Sequence, residues 1–413
     1  MDTAARKESL AEFWRWHLMN EVLPFYLRHA VDAVHGGYTT CLDNDGTMLS
    51  GDKYTWSQGR GVWTFSAVYN RIDHAARFLE AAKSGAEFLR NVGSDEHGQW
   101  PFRTDRQGKV LEGPISIYAD MFVVYGLTEY YRGSADVSAL KLAYKTLNDA
   151  HARASRADFN AVAPYHIPKG WRAHGVPMIF VETAQELARS IADPALDEKV
   201  DRAAETILQL HYKPHYGVIL ENVTLDGGEI DQPEGRIVNP GHTIESAWFL
   251  IHWAKRRGND AVVSLGCELI RKALELGWDR EFGGIYHGMD HQTGSPSPVF
   301  ANAECKLWWP HTEALYALIL IYELTGENWA LDWYGKVHDW SMKHHRSPWG
   351  DWYQRLDRQG RPITKVVALP VKDPYHLPRA LILAYQSLRR MLGKKARHDP
   401  FDDLEKVPVS ELS

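Results

Sequence analysis

Cysteine is scarce: Cys41, Cys267 and Cys305 are three in a chain of 413 residues. So small and odd a number cannot form a fully paired disulfide framework, and it fits a reducing cytoplasm. Long apolar runs are missing as well. No stretch reaches the ~18 residues of a membrane span, and the opening MDTAARKESLAEFWRW lacks the apolar segment of a secretory signal. There is no excess of positive charge: 47 Lys and Arg stand against 53 Asp and Glu, a net charge of −6 with a pI near 6.4. The basic residues are not clustered, which argues against nucleic acid as a partner.

Internal repetition is what the chain does have. Five glycine-aromatic segments begin HGGYTTCLDNDG at His35, HGQWPFRTDRQG at His97, HYGVILENVTLDG at His215, EFGGIYHGMDHQTG at Glu281 and WGDWYQRLDRQG at Trp349. Aligned on Gly36, Gly98, Gly217, Gly283 and Gly350, they are 62, 119, 66 and 67 residues apart. The long gap is two periods, so a sixth copy is expected near 157–160. Each segment pairs β-formers with a turn cluster such as Asp43-Asn44-Asp45-Gly46, the chemistry of a hairpin. Between them, apolar residues fall at helical spacing over 9–28, 56–71, 75–92, 115–131, 135–152, 176–189, 195–211, 242–256, 260–277, 307–324, 329–345 and 375–391. Twelve helices in six repeats, with a hairpin after each odd one, predict an all-α (α/α)6 barrel: six inner helices inside six outer ones, short β-hairpins at one end. Residues 1–392 would form this single domain, and the polar 393–413 a loosely attached tail.

In such a barrel the even helices all start at one end. Their first turns carry Arg60; Tyr118 and Asp120; His242, Glu245 and Trp248; Trp308, Trp309, His311 and Glu313; His376 and Arg379. Polar and titratable groups from five repeats would therefore converge on one mouth, where helix N-termini also favour anions. Most of the 16 tryptophans read as core filling. Trp308 and Trp309 instead open an even helix, where an indole can stack on a sugar. His242 and Glu245 share a helix face, and a second histidine, His376, occupies the equivalent place in another repeat. Two histidines across a pocket suit removal and return of a proton near neutrality, with Arg60 stabilising a developing enolate oxygen. A metal reading of His242 and Glu245 lacks a second Glu/His pair at that spacing, so no metal is expected.

The stretches KYTWSQGRGVW (53–63), LENV (220–223), NPGHTIESAWFL (239–250), KLWWPHTEA (306–314) and YHLPR (375–379) resemble the N-acylglucosamine 2-epimerase (renin-binding protein) family, in order and spacing, from about residue 10 to about 390. That family is a six-fold α/α barrel and includes cellobiose 2-epimerases and mannose isomerases. The resemblance implies that His242 and His376 are the acid/base pair, that Glu245 supports His242, and that Arg60 holds the reacting oxygens. Tyr118, Asp120, Trp308, Trp309 and Glu313 would contact the sugar. The disaccharide epimerases and mannose isomerases carry a further histidine at the start of the sixth helix; here Ile179 takes that position, with His174 nearby, which matches the N-acylglucosamine branch. The segment ALPVKDPYH before His376 departs from the glycine-rich pattern of the mammalian type. A monosaccharide or N-acyl hexosamine is the expected substrate. ATP would be an allosteric effector and not a cofactor, since no phosphate-binding glycine loop is present, and a homodimer is compatible.

The implied chemistry starts from an opened hexose. One histidine removes the C2 proton, Arg60 holds the enediolate or its acylamino counterpart, and the other histidine protonates the opposite face. With a C2 hydroxyl, return of the proton to C1 would give a ketose, so an aldose–ketose isomerase or an epimerase of mannose, glucose or a disaccharide is the alternative. Two other classes compete: an inverting glycoside hydrolase using two of Asp120, Glu245 and Glu313, and a non-catalytic protein-binding scaffold.

Overall fold

The computed structural model describes residues 3–156, 159, 166–364, 366 and 369–412. Among them the helical segments fall into twelve. The six outer ones are α1 (residues 4–29, with a π turn at Leu18–Val22), α3 (Ala76–Val92), α5 (Val137–Ala154), α7 (Pro194–Thr206, continued by a π turn Ile207–His211), α9 (Asp260–Gly277) and α11 (Asn328–His344). The six inner ones are α2 (Thr55–Arg71), α4 (Ile117–Ser134), α6 (Gly175–Ala188), α8 (Pro240–Arg257), α10 (Trp308–Thr325) and α12 (His376–Met391). Each inner helix packs on the next, and α12 closes the ring on α2; each outer helix lies against an inner neighbour.

Burial follows this division. α10 is buried without a break from Trp309 to Ile321, as a helix enclosed on all sides must be. α9 buries only Gly266, Cys267, Leu269, Ile270, Ala273, Leu274 and Gly277, one stripe at helical spacing. α2 and α4 approach so closely that a Cβ on Gly59 would collide with the Phe122 carbonyl, and one on Gly126 with the Gly59 carbonyl.

All five aligned glycines have left-handed backbone, with φ from +68° to +108°, which explains why the repeat keeps glycine there. The expected hairpins are abbreviated. Beside three of these glycines the local pairing shrinks to single bridges, Val31 to Tyr38, Trp278 to Ile285 and Arg346 to Trp352. The longer pairings join neighbouring repeats instead. The strands entering α2, α6, α8 and α10 pair antiparallel with the following loop segment: Lys53 with Thr104, Trp171 with Thr224, Val238 with Met289, Lys306 with Leu356. The sixth copy falls, apart from Phe159, outside the described residues.

The repeat extends to buried charges. Asp32 accepts from the Val34 and His35 backbone amides, pairs with the buried Lys53 at 3.1 Å and binds Arg106 Nε at 2.8 Å. A third of a turn around the ring, Asp279 accepts from Glu281 and Phe282, pairs with the buried Lys306 at 3.1 Å and binds Arg358 Nε at 3.1 Å. Each lysine also donates to a glycine carbonyl, of Gly36 or Gly284.

The tail is not loosely attached. Arg189 Nη2 donates to the carbonyls of Asp399 and Asp402, Arg390 pairs with Asp399, and Val407 and Pro408 pair in parallel with Ile191 and Ala192. Arg189, directly after α6, and Arg390 of α12 supply bonds that its own polar composition could not reveal. Among the described residues no helix is long and apolar enough to cross a membrane.

Asp279→Asn should leave the Lys306 ammonium buried without its counter-charge and cost about 3–5 kcal/mol. Urea unfolding measures this, and a loss below about 1 kcal/mol would show that the cluster does not stabilise the ring.

Candidate active site

Both histidines are placed by the same local device. Asn239 Oδ1 accepts the His242 backbone N–H at 3.2 Å, and Asp373 Oδ2 accepts that of His376 at 3.1 Å. A proline follows each cap, Pro240 or Pro374, where a missing N–H costs nothing. The shared pattern, Asn-Pro-x-His and Asp-Pro-x-His, was legible in the sequence as a capping signal.

A cleft opens at this end of the ring. Arg60, Tyr118, His242, Glu245, Trp308, Trp309 and His376 line it, together with Asp373, His287 and an apolar wall that includes Phe249, Ile179 and Tyr375. The Trp309 indole contacts both histidines, its centroid 5.3 Å from the His242 ring and 5.5 Å from that of His376. Trp308 meets His376 edge-on at 6.0 Å, and Tyr118 stacks on Trp56 at 5.1 Å.

Three sequence expectations need correction. Asp120 is fully buried outside the cleft, accepting from the Trp100 amide and from Arg153 at 2.7 Å; it ties α4 to α5 and the neighbouring loop and cannot reach a sugar. Glu313 is also buried behind the wall, bound to His376 Nδ1 at 2.8 Å, to Arg379 Nη2 at 2.7 Å and to Trp248 Nε1 at 2.9 Å. It orients a histidine and does not touch the cleft. Glu245 does line the cleft, but its hydrogen bond goes to Arg379. The carboxylate that holds His242 is Glu221, whose oxygens lie 3.1 and 3.0 Å from Nδ1. Glu221 comes from the loop before α8, so helix-face spacing could not find it; its place in the LENV motif was the available signal. His311 and Arg379 lie behind the cleft as well. His311 caps the Ile285 amide, and Arg379 binds both glutamates.

The two imidazoles differ in charge preference. Burial disfavours a charged His242, but the Glu221 carboxylate and its hydrogen bond outweigh this, and the pKa rises above the ordinary value. Burial works against the Glu221 carboxylate too, and the His242 charge with hydrogen bonds from His174 and His242 holds it below the usual range. His376 goes the other way, pushed down to about 3 by burial and by Arg60. Arg60 Nη2 lies 3.2 Å from His376 Nε2 while Nη1 pairs with Asp373 at 3.0 Å. A guanidinium only donates, so Nε2 is the acceptor and the His376 proton sits on Nδ1, donated to Glu313. The Arg60 guanidinium lies over the Phe122, Trp56 and Tyr375 rings at 4.2, 4.8 and 4.9 Å.

Among the described residues, two groups place ligand-type atoms within 4.8 Å of one another: His174, Glu221 and His242, and Glu245, Glu313 and His376. In the second, the Arg379 guanidinium already lies on both carboxylates, a fixed positive charge that opposes a cation. In the first, both Nδ1 atoms point at Glu221, which only accepts; each therefore carries a proton at Nδ1, and that nitrogen is not free to ligate a metal beside Glu221.

The family model described as N-acylglucosamine 2-epimerase (GlcNAc 2-epimerase) matches residues 36–380. The chain belongs to the N-acylglucosamine 2-epimerase family. It is 30% identical to the N-acylglucosamine 2-epimerase of Rattus norvegicus over 410 residues, covering 96% of each chain. It is 23% identical to the cellobiose 2-epimerase of Bacteroides fragilis, over 86% of this chain and 92% of that one. In three dimensions it matches the cellobiose 2-epimerase of Bacillus thermoamylovorans with a TM-score of 0.80 at 19% identity, covering 92% of this chain and 99% of that one. A family 76 α-mannanase of Bacteroides thetaiotaomicron matches with a TM-score of 0.61 at 9% identity, over 93% and 97%, a likeness of fold alone. Family membership makes the protein an isomerase acting on carbohydrate, which decides against the hydrolase and scaffold readings.

Glu221→Gln removes the charge that offsets burial, so the His242 midpoint should drop below the ordinary histidine value in an NMR titration of labelled rings. An unchanged midpoint would mean that Glu221 does not set the charge state of His242.

Proposed function

We propose that this 2-epimerase interconverts N-acylglucosamine and N-acylmannosamine by passing the C2 proton between two histidines. The observation that carries the reading is the pair of imidazoles that both meet Trp309 in one cleft, one backed by Glu221 and the other by Glu313. The substrate class is supported by the 30% identity to the rat enzyme over nearly the whole chain, and by Ile179 in the cleft wall, where a histidine is expected in the disaccharide and mannose branches.

The sugar enters in its open form, its face on Trp309. Arg60 occupies the His376 lone pair. When the C1 carbonyl oxygen takes over the Arg60 N–H, Nε2 is freed to remove the C2 proton. Negative charge develops on that oxygen, where the Arg60 cation stabilises it. His242, whose charge is supported by Glu221, then delivers a proton to the other face of C2 from Nε2. The reverse reaction starts with the two protonation states exchanged. An acylamino group at C2 cannot become a ketone carbonyl by this route, so protonation at C1 gives no simple ketose. Only protons move, so no redox or group-transfer cofactor enters, and ATP would act as an effector. One chain supplies every group named, so a homodimer is not needed for the chemistry.

In D₂O, N-acetylglucosamine should give N-acetylmannosamine deuterated at C2, with no dependence on EDTA. His242→Asn and His376→Asn should each lower turnover by ~10²-fold or more, and one of them should retain C2 exchange without inversion, because each base serves one face. Near-normal turnover in both, or activity only with added metal, would reject this mechanism. Conversion of mannose, glucose or cellobiose in place of the N-acyl sugar would reject the substrate.

A further inference from the structure

His174 stands immediately before α6 and is fully buried. The mechanism above makes no use of it, yet it is bound to the carboxylate behind His242. Its Nδ1 lies 3.4 Å from Glu221 Oε1, the same oxygen that faces His242 Nδ1 at 3.1 Å. Its Nε2 lies 2.8 Å from Ser246 Oγ on α8. Its backbone N–H donates to the Glu221 carbonyl at 2.8 Å. The ring therefore cannot turn away without losing bonds at both nitrogens. With Ser246 donating to Nε2, the His174 proton sits on Nδ1 and points at Glu221. The ring of His174 is 6.2 Å from that of His242.

We propose that His174 is a positioning residue: by sharing Glu221 with His242, it orients that carboxylate and moderates its grip on the His242 proton. The role given to His242 rests on the two-base reading above. An isolated carboxylate behind His242 would hold the proton tightly and make it a poor donor. A second N–H on the same oxygen draws off part of that basicity, as each hydrogen bond to a carboxylate lowers its affinity for protons. The other groups acting on His242 are few: Glu245 across the helix face, and His287 in the cleft wall, itself pushed down to about 4 by burial and by His242. His211 lies behind His174, ring centroids 5.5 Å apart, its Nδ1 2.9 Å from the Leu220 carbonyl; burial and the neighbouring His174 push it down to about 3. It therefore stays neutral and does not compete for Glu221. His174 thus adds a positioning side chain from the same repeat whose Ile179 lines the cleft wall.

The test is His174→Leu, which keeps the volume apolar and removes the shared N–H. Glu221 then acts on His242 alone, and the His242 midpoint should rise by about 0.5–1 pH unit in an NMR ring titration. The pH–rate limbs assigned to His242 in both reaction directions should move up by the same amount, with little change in KM. His174→Asn, whose side-chain N–H can replace Nδ1–H, should restore the original midpoint. Ser246→Ala, which frees the far nitrogen but keeps the ring, should give a smaller rise and serves if the leucine variant fails to fold. A folded His174→Leu protein with an unmoved midpoint, or a serine variant with none, overturns the proposal. A shifted midpoint in a protein that epimerises no tested sugar supports the sharing of Glu221 and rejects the functional reading instead.

Discussion

The buried guanidinium of Arg379 ties the last three repeats together at the base of the cleft. It binds Glu245 of α8, Glu313 of α10 at 2.7 Å and the Tyr375 hydroxyl at 2.6 Å. Without that cation, two carboxylates would lie close together in a dry interior with no shared donor. With it, the same Glu313 Oε1 that Arg379 holds also receives the His376 Nδ1–H. The orientation of one proposed base thus depends on a residue one turn further along its own helix, which never reaches the cleft.

The two histidines are similar in placement and opposite in environment. Each follows a capping residue and a proline, and each hands its Nδ1 proton to a glutamate. Their far nitrogens meet different surroundings. Burial and the Arg60 cation suppress the charge of His376, whereas at His242 the Glu221 carboxylate and its hydrogen bond outweigh burial. One ring is therefore set to accept a proton and the other to give one. An epimerase needs this asymmetry at every turnover and must reverse it in the opposite direction, which favours modest grips over strong ones.

The paired clusters around Asp32 and Asp279 serve the frame. Each joins a turn, an entry strand and the loop of the next repeat through one aspartate, one buried lysine and one arginine. They stiffen the end of the ring from which the inner helices start, and so keep the first turns of α2 and α10, which carry Arg60 and Trp309, at fixed positions.

The sequence by itself determined the architecture, because period and helical spacing are local signals repeated along the chain. Twelve helices, the inner and outer alternation, and the glycines at left-handed backbone positions all follow from residues near one another in sequence. It also determined that Arg60, Tyr118, His242, Glu245, Trp308, Trp309 and His376 share a cleft, since each opens an even helix and a closed ring gathers such positions. Only the tertiary structure decided which side chain supports which. Asp120 and Glu313 begin even helices too, yet their carboxylates turn into the wall, because Arg153 in one case and Arg379 with His376 in the other offer charged partners there. Glu221 and His174 lie on loops with no periodicity to mark their direction, and the strand pairing of Trp171–Ala173 with Asn222–Thr224 brings them together beside His242. The tail was misjudged for the same reason: its anchors include Arg189 and the Ile191–Ala192 strand, and partners so far away in sequence leave no trace in local composition.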